Sequence, residues 1–151
     1  MKVLYLNKEA KRDYEIIEKV EAGIVLKGWE VKSIKLQNVS LKGSFIKIEE
    51  EQAYLLNSTI GAYKFASDIS KDDLTRKRKL LLKKRQITNL HSKVKEKGYT
   101  LFPLDIYVSE SNLIKLTIAL GKGRKKFDKR QKLKERDMKR QLDRDRKSYS
   151  F

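Results

Sequence analysis

The chain has 151 residues, and its 37 Lys+Arg against 20 Asp+Glu leave a formal charge of +17. It has no cysteine and a single histidine, His91, so disulfides, thiolate zinc sites, thiol catalysis and a His pair are excluded. No apolar run reaches membrane-spanning length, and Met1 to Leu6 is too short for a secretion signal, so a cytoplasmic location is expected.

Taken in chain order, Tyr14, Ile16, Val20 and Ala22 share one parity against Glu15, Lys19 and Glu21, which predicts a strand. Ile17 breaks the alternation. The run Ile24-Val25-Leu26 follows Gly23, and Trp29 to Leu36 spaces Val31 and Ile34 as in a short helix. Phe45–Ile48 and Ala53–Leu56 flank a polar Glu49–Gln52 turn and predict a hairpin. Residues 61–71 read as a loop. Asp72 or Asp73 then caps an expected long helix with Leu80, Ile87, Leu90 and Val94 on one stripe, and Lys97-Gly98 ends it. Phe102, Leu104, Ile106 and Val108 alternate, as do Ile114, Leu116, Ile118 and Leu120, which predicts a second hairpin. The expected fold is mostly β: about six strands, one short helix and one long one. A twisted antiparallel sheet of this size is expected to close into a small barrel, which removes its edges.

The charge is uneven. Residues 121–151 carry 14 Lys+Arg against 5 Asp+Glu. They hold too few apolar residues for a core of their own. The expected organisation is therefore a folded body over 1–120 and a basic tail over 121–151, with the boundary near Gly121–Gly123 and a flexible cationic hinge over Gly121–Lys126. Such a charge points to an anionic partner, above all a nucleic acid. Membrane binding is disfavoured, because the most basic segment lacks an apolar face.

Arg76, Lys77, Arg78, Lys79, Lys83, Lys84 and Arg85 crowd the start of the expected long helix, where cations oppose the macrodipole and a bound phosphate would reverse that penalty. The competing reading is a solvated basic surface over a leucine stripe. His91 has no orienting partner and reads as a surface residue. Gly121-Lys122-Gly123-Arg124-Lys125-Lys126 is not a Walker loop, since no Gly-Lys-Ser/Thr follows at the required spacing. In the tail, Lys132, Arg136, Arg140 and Arg144 recur every four residues. Their repulsion is offset by Asp128 with Lys132, Glu135 with Lys139 and Asp143 with Lys147. A coil-like tail that becomes helical in a polyanionic groove is expected, against the plainer reading of a solubilising tail.

Several segments together resemble the SsrA-binding proteins (small protein B), bacterial partners of transfer-messenger RNA. They are Asn7-Lys8-Glu9-Ala10, Tyr14 and the run from Glu21 to Ser33, then Arg76 to Leu82, Gly98 to Leu104, Lys122 to Lys125, Asp128-Lys129-Arg130 and Lys134 to Asp137. The resemblance implies an oligonucleotide-binding-fold barrel and a tail disordered until it reaches the ribosome. It implies a body bound to the tRNA-like domain of transfer-messenger RNA, one protein per RNA. The tail then contacts rRNA of the small-subunit decoding region and enters the vacant mRNA channel of a stalled ribosome. It implies an adaptor with no catalytic residue, metal or cofactor.

By the same resemblance, RNA-binding positions fall on Asn7, Glu21, Leu81, Lys115, Lys122, Gly123, Arg124 and Lys125. Tail positions directed to the ribosome fall on Asp128, Lys129, Arg130, Lys132, Arg136, Arg140 and Arg144. Asn7 is expected at a base edge or ribose, Lys115 at a phosphate, Glu21 as an acceptor or as a guide for a neighbouring cation, and Leu81 against a nucleotide or simply in the core. The chain departs from the family pattern at Lys35-Leu36-Gln37-Asn38, where Asn38 is expected to supply left-handed geometry, and at Asp73-Leu74, which replaces Asp-Pro. Two other classes compete: a structural ribosomal or rRNA-assembly protein, and a carboxylate-dependent nuclease whose one acidic cluster, Glu49-Glu50-Glu51, reads as a turn.

Overall fold

The computed structural model describes the backbone over residues 1–123 and 126–149, and side-chain surroundings over 1–123 and 133–144. Nine strands occur: β1 (Lys2–Leu6), β2 (Tyr14–Ile24), β3 (Val39–Ser40), β4 (Phe45–Glu49), β5 (Gln52–Leu56), β6 (Thr59–Ile60), β7 (Arg78–Leu81), β8 (Thr100–Val108) and β9 (Ile114–Gly123). Four α-helices interleave with them: α1 (Lys8–Asp13), α2 (Gly28–Lys35), α3 (Lys84–Lys97) and α4 (Lys126–Tyr149), with a 3-10 turn at Asp72–Thr75. The main sheet is antiparallel throughout in the order β1-β8-β9-β2-β7-β5-β4, and β3 pairs with β6 separately.

The mostly-β expectation holds, but closure does not. The hydrogen-bonded order ends on β1 and β4, so the sheet is open. β4 comes against β8 without a shared ladder among the described residues. β1 takes the β8 edge only from Asp105 to Val108.

The expected long helix is two elements. Arg78 and Leu80 point inward from β7 while Lys79 and Leu81 point outward, and the helix begins only at Lys84. Leu80 and Ile87 stand seven apart, which suits two helical turns but equally a strand followed by a helix. Gln86 Oε1 accepts the Lys83 N–H at 3.0 Å and fixes the start of α3. Gly98, at φ 67°, ends it as expected.

Two apolar clusters hold the fold. Ala22, Leu55, Leu80, Leu90, Leu116, Ile118 and Leu120 belong to the main core, together with Ile34 of α2, Leu41 and Ile60. Ala10, Phe102, Leu104 and Ala119 form a second cluster under α1. β8 serves both because its register shifts between Pro103 and Asp105, so Phe102 and Leu104 face α1 whereas Ile106 faces the main core. The shift in β2 lies between Ile16 and Glu18, where Ile17 broke the alternation and stands exposed.

Gly121 to Gly123, read as a hinge, are instead paired strand: Gly121 faces Ile16 and Thr100, and Lys122 faces Glu15. A Cβ on Gly121 would lie 2.5 Å from Phe102 Cε1 and 3.1 Å from Glu15 O. Phe102 cannot easily yield, because its ring stacks on Tyr14 at 4.5 Å. Gly121→Ala is expected to cost about 1–3 kcal/mol, the usual range for overpacking, read as a lower urea midpoint with unchanged slope.

Residues Lys126–Tyr149 of the tail form helix α4. Of its described apolar residues, Met138 and Leu142 are exposed and Leu133 is half-buried in the groove it shares with α1; among the described residues the helix contacts α1.

Candidate nucleic-acid interface

Three strands bring the proposed positions together. Gly23 of β2 faces Leu81 of β7 on one side and Lys115 of β9 on the other. Glu21 lies two residues along β2, on the same face as Gly23. The glycine leaves a low floor: a Cβ there would meet Leu81 Cβ at 3.3 Å. Over that floor runs an open groove of about 580 Å³, lined by Glu21, Leu81 and Lys115 together with Lys79, Lys83 and Gln86.

Leu81 is 54% exposed, so it is a surface leucine at the groove and not core. Lys115 Nζ donates to Glu21 Oε1 at 2.7 Å. That bond, with a second from the Tyr107 hydroxyl, holds the Glu21 carboxyl below its ordinary value. Burial, and then the bond to Glu21, push the Tyr107 hydroxyl well above its usual range, so it remains a donor. Glu21 thus stays ionised and aims the Lys115 ammonium, with acceptor capacity to spare.

Asn7 sits elsewhere. It is buried; its Nδ2 donates to Pro103 O at 2.8 Å and its Oδ1 accepts the Ala10 N–H at 3.3 Å. It caps α1 and ties it to β8, so both ends of the amide are engaged. These bonds give it a scaffold role. Lys122 and Gly123 are exposed at the end of β9, away from the residues that line the groove. Arg124 and Lys125 lie outside the described residues, as do the side chains of Asp128, Lys129, Arg130 and Lys132. Arg136, Arg140 and Arg144 are exposed on α4. His91 is exposed on α3.

Sequence reasoning missed Tyr107 and the network beneath the groove's neighbouring loop, and it set Lys79 on a helix where the structure has strand β7. Arg78 and Glu30 are each 0% exposed. Arg78 Nε donates to Glu30 Oε2 at 2.7 Å; its other four N–H groups reach Ser58 O, Ser58 Oγ, Asp73 O and Leu74 O at 3.0–3.2 Å. Arg76 also donates to both Glu30 oxygens, and Glu30 Oε1 accepts the Lys27 N–H at 2.7 Å. Burial pushes the Glu30 carboxyl up, but the bonds from Arg76, the Lys27 N–H and Arg78 outweigh it and hold it below its ordinary value. Burial lowers the Arg78 guanidinium, which the Glu30 bond opposes. Lys77 turns away to Glu49 at 2.7 Å and lies 4.0 Å over the Tyr54 ring. The basic run therefore splits by parity: Arg76 and Arg78 bind a carboxylate inside, Lys77 and Lys79 face out.

The turn after α2 also differs from expectation. Gln37, not Asn38, takes the left-handed conformation, at φ 63°. Asn38 instead packs on Gly61, where a Cβ would fall 2.1 Å from Asn38 Nδ2. Among the described residues no group of acidic or histidine side chains is arranged to hold a metal ion, and no helix is long and apolar enough to cross a membrane.

The family model described as SmpB protein matches residues 4–148. The SsrA-binding protein of Aquifex aeolicus (strain VF5) is 54% identical over 140 residues, covering 92% of this chain and 88% of its own. That of Persephonella marina (strain DSM 14350 / EX-H1) is 50% identical over 142 residues, covering 94% and 92%. A solved structure described as "tmRNA-SmpB: a journey to the center of the bacterial ribosome" superposes with a TM-score of 0.67 at 44% identity, over 81% of this chain and 85% of that one. The family match runs from the body into the tail, and relatives at half identity cover more than nine-tenths of the chain; the chain belongs to the SmpB protein family.

Proposed function

We propose that this chain is the adaptor that carries transfer-messenger RNA to stalled ribosomes in the cytoplasm, acting by binding alone and catalysing no step. The observation that carries the reading is the convergence of Glu21, Leu81 and Lys115 from three strands on one cationic groove. In it, Lys115, Lys79 and Lys83 neutralise backbone phosphates of the tRNA-like domain, which releases counterions. Glu21 orients Lys115, and exposed Leu81 lies against a nucleotide. Asn7 acts at a distance, by fixing α1 on β8. We read the curled sheet as an oligonucleotide-binding-type scaffold whose β4–β8 seam is packed rather than laddered. Residues 121–151 act as the ribosome-directed arm, marginal as a helix alone and stabilised in an rRNA-lined channel, one chain per RNA.

The test is RNA binding across a salt series. The full chain is expected to prefer a tRNA-like domain to an unrelated duplex of equal size. Lys79→Ala is expected to weaken binding and to flatten the log K against log salt slope by about 1. Equal affinity for both RNAs, or an unchanged slope, would overturn this reading.

A further inference from the structure

Outside the groove, the loop after β6 presents two aromatic rings, a half-buried Tyr63 and a fully displayed Phe65. Phe65 is 79% exposed. Tyr63 meets it edge-on, with centroids 5.5 Å apart at 66°. Lys64 Nζ lies 5.6 Å from the Phe65 centroid and Lys32 Nζ, on α2, 5.5 Å from that of Tyr63. A ring left in water forfeits the burial that would justify its place in a loop.

The loop is nonetheless held at both ends. At one, Gly61 N donates to Asn38 O at 2.9 Å and Gly61 packs under the Asn38 side chain. At its tip, Ala66 N donates to Tyr63 O at 3.0 Å. At the other end, Ser70 and Asp73 exchange bonds, and Arg78 grips the carbonyls of Asp73 and Leu74. The rings are therefore displayed on a fastened turn.

We propose that Tyr63 and Phe65 form a stacking platform for an unpaired nucleobase of the RNA held in the groove, with Lys32 and Lys64 taking the flanking phosphates. The proposal rests on the adaptor reading, to which it adds a second contact. A base suits this surface better than a protein does. The apolar area is small and broken, each ring has an ammonium beside it, and every base has a π-face that stacks without regard to sequence. β7 links the two: Arg78 grips the loop's far end at Asp73 and Leu74, and the next residues of the strand, Lys79, Leu80 and Leu81, line the groove. An RNA seated in the groove therefore lies along the strand that anchors the loop.

The experiment compares Phe65→Ala, Phe65→Leu and Phe65→Trp in the full chain, with the tRNA-like domain of transfer-messenger RNA as probe and Lys79→Ala in parallel. At this exposure all three are expected to keep the parent circular dichroism spectrum. Phe65→Ala is expected to weaken binding by roughly 5-fold or more with the salt slope unchanged, since stacking and not charge is lost. Phe65→Leu should be as weak, because it is apolar but cannot stack. Phe65→Trp should restore affinity, and its emission beyond that of the parent's Trp29 should be quenched on binding. Parent-like affinity for Phe65→Ala, or rescue by leucine as full as by tryptophan, overturns the platform. Lost ribosome attachment with intact affinity for the tRNA-like domain would assign the patch to the ribosome and also overturn it. If Lys79→Ala weakens binding while Phe65→Ala does not, the platform alone fails. If the parent shows no preference for the tRNA-like RNA, the adaptor reading fails first.

Discussion

Arg78→Met is expected to destabilise the body by about 3–5 kcal/mol, the cost of leaving a buried carboxylate without its partner. Glu30 is fully buried, and Arg76 alone would remain to balance it beside the Lys27 N–H. Ser58 O, Asp73 O and Leu74 O would also lose their donor. Arg78→Lys should rescue little. Lysine offers three donors from one point, whereas arginine here uses a planar fork to reach four residues at once. Urea unfolding followed by circular dichroism reads the loss. A drop under about 1 kcal/mol would mean that the network contributes specificity and not stability.

The same carboxylate gives the acid limb of stability a definite sign. The folded Glu30 pKa is lowered, so the unfolded chain takes up the proton first. The stabilisation is complete above the unfolded value of about 4.3 and is lost as pH falls through the lower folded value. Thermal midpoints of the parent are expected to hold steady down to about pH 5 and to drop steeply below about pH 4. Glu30→Gln, already destabilised at neutral pH, is expected to show a shallower acid limb. An identical limb in parent and variant would remove Glu30 from the account.

How far these features are legible in the sequence depends on the range of the interaction behind them. Local ones show: the Glu50-Glu51 turn sits between two alternating runs, and both residues adopt positive φ as a tight hairpin demands. The bulge at Ile17 shows because it breaks an alternation. The bulge between Pro103 and Asp105 does not, because Phe102, Leu104, Ile106 and Val108 alternate without a break even though the faces they meet differ. Glu30 looks like any exposed helix acid, since its partners Arg76 and Arg78 lie 46 and 48 residues away. β7 reads as helix because its four residues are too few to outvote a stripe that runs on into α3. At the groove, the resemblance placed Glu21, Leu81 and Lys115, but not Tyr107, whose role is visible only once β8 lies beside β9. The bonds of the Asn7 amide to Pro103 O and the Ala10 N–H are likewise invisible until α1 lies against β8.

Deleting residues 128–151 is expected to leave affinity for the tRNA-like domain within a few-fold and to abolish tagging of stalled nascent chains. Every residue of the two apolar clusters lies before Gly121, so the shortened chain keeps its core and should unfold at nearly the parent urea concentration. The arm's own helix has little to hold it. Among the described residues it meets α1, where Lys8, Lys11 and Arg12 share a groove with Leu133, Glu135, Arg136 and Lys139. Like charges at that junction repel, and helix α4 lacks a buried apolar stripe among its described residues. A peptide of residues 124–151 is therefore expected to be mostly coil at low salt and to gain helix when an RNA or another polyanion is added, because phosphates remove the repulsion between successive arginines. Replacing Arg136, Arg140 and Arg144 together by Gln keeps helix propensity while removing the stripe. That variant should reproduce the deletion's loss of tagging with RNA binding intact. If it tags normally, charge on α4 is not what the ribosome reads. If the deletion instead costs 100-fold or more in RNA affinity, the arm belongs to the RNA grip, and the division between body and tail is wrong.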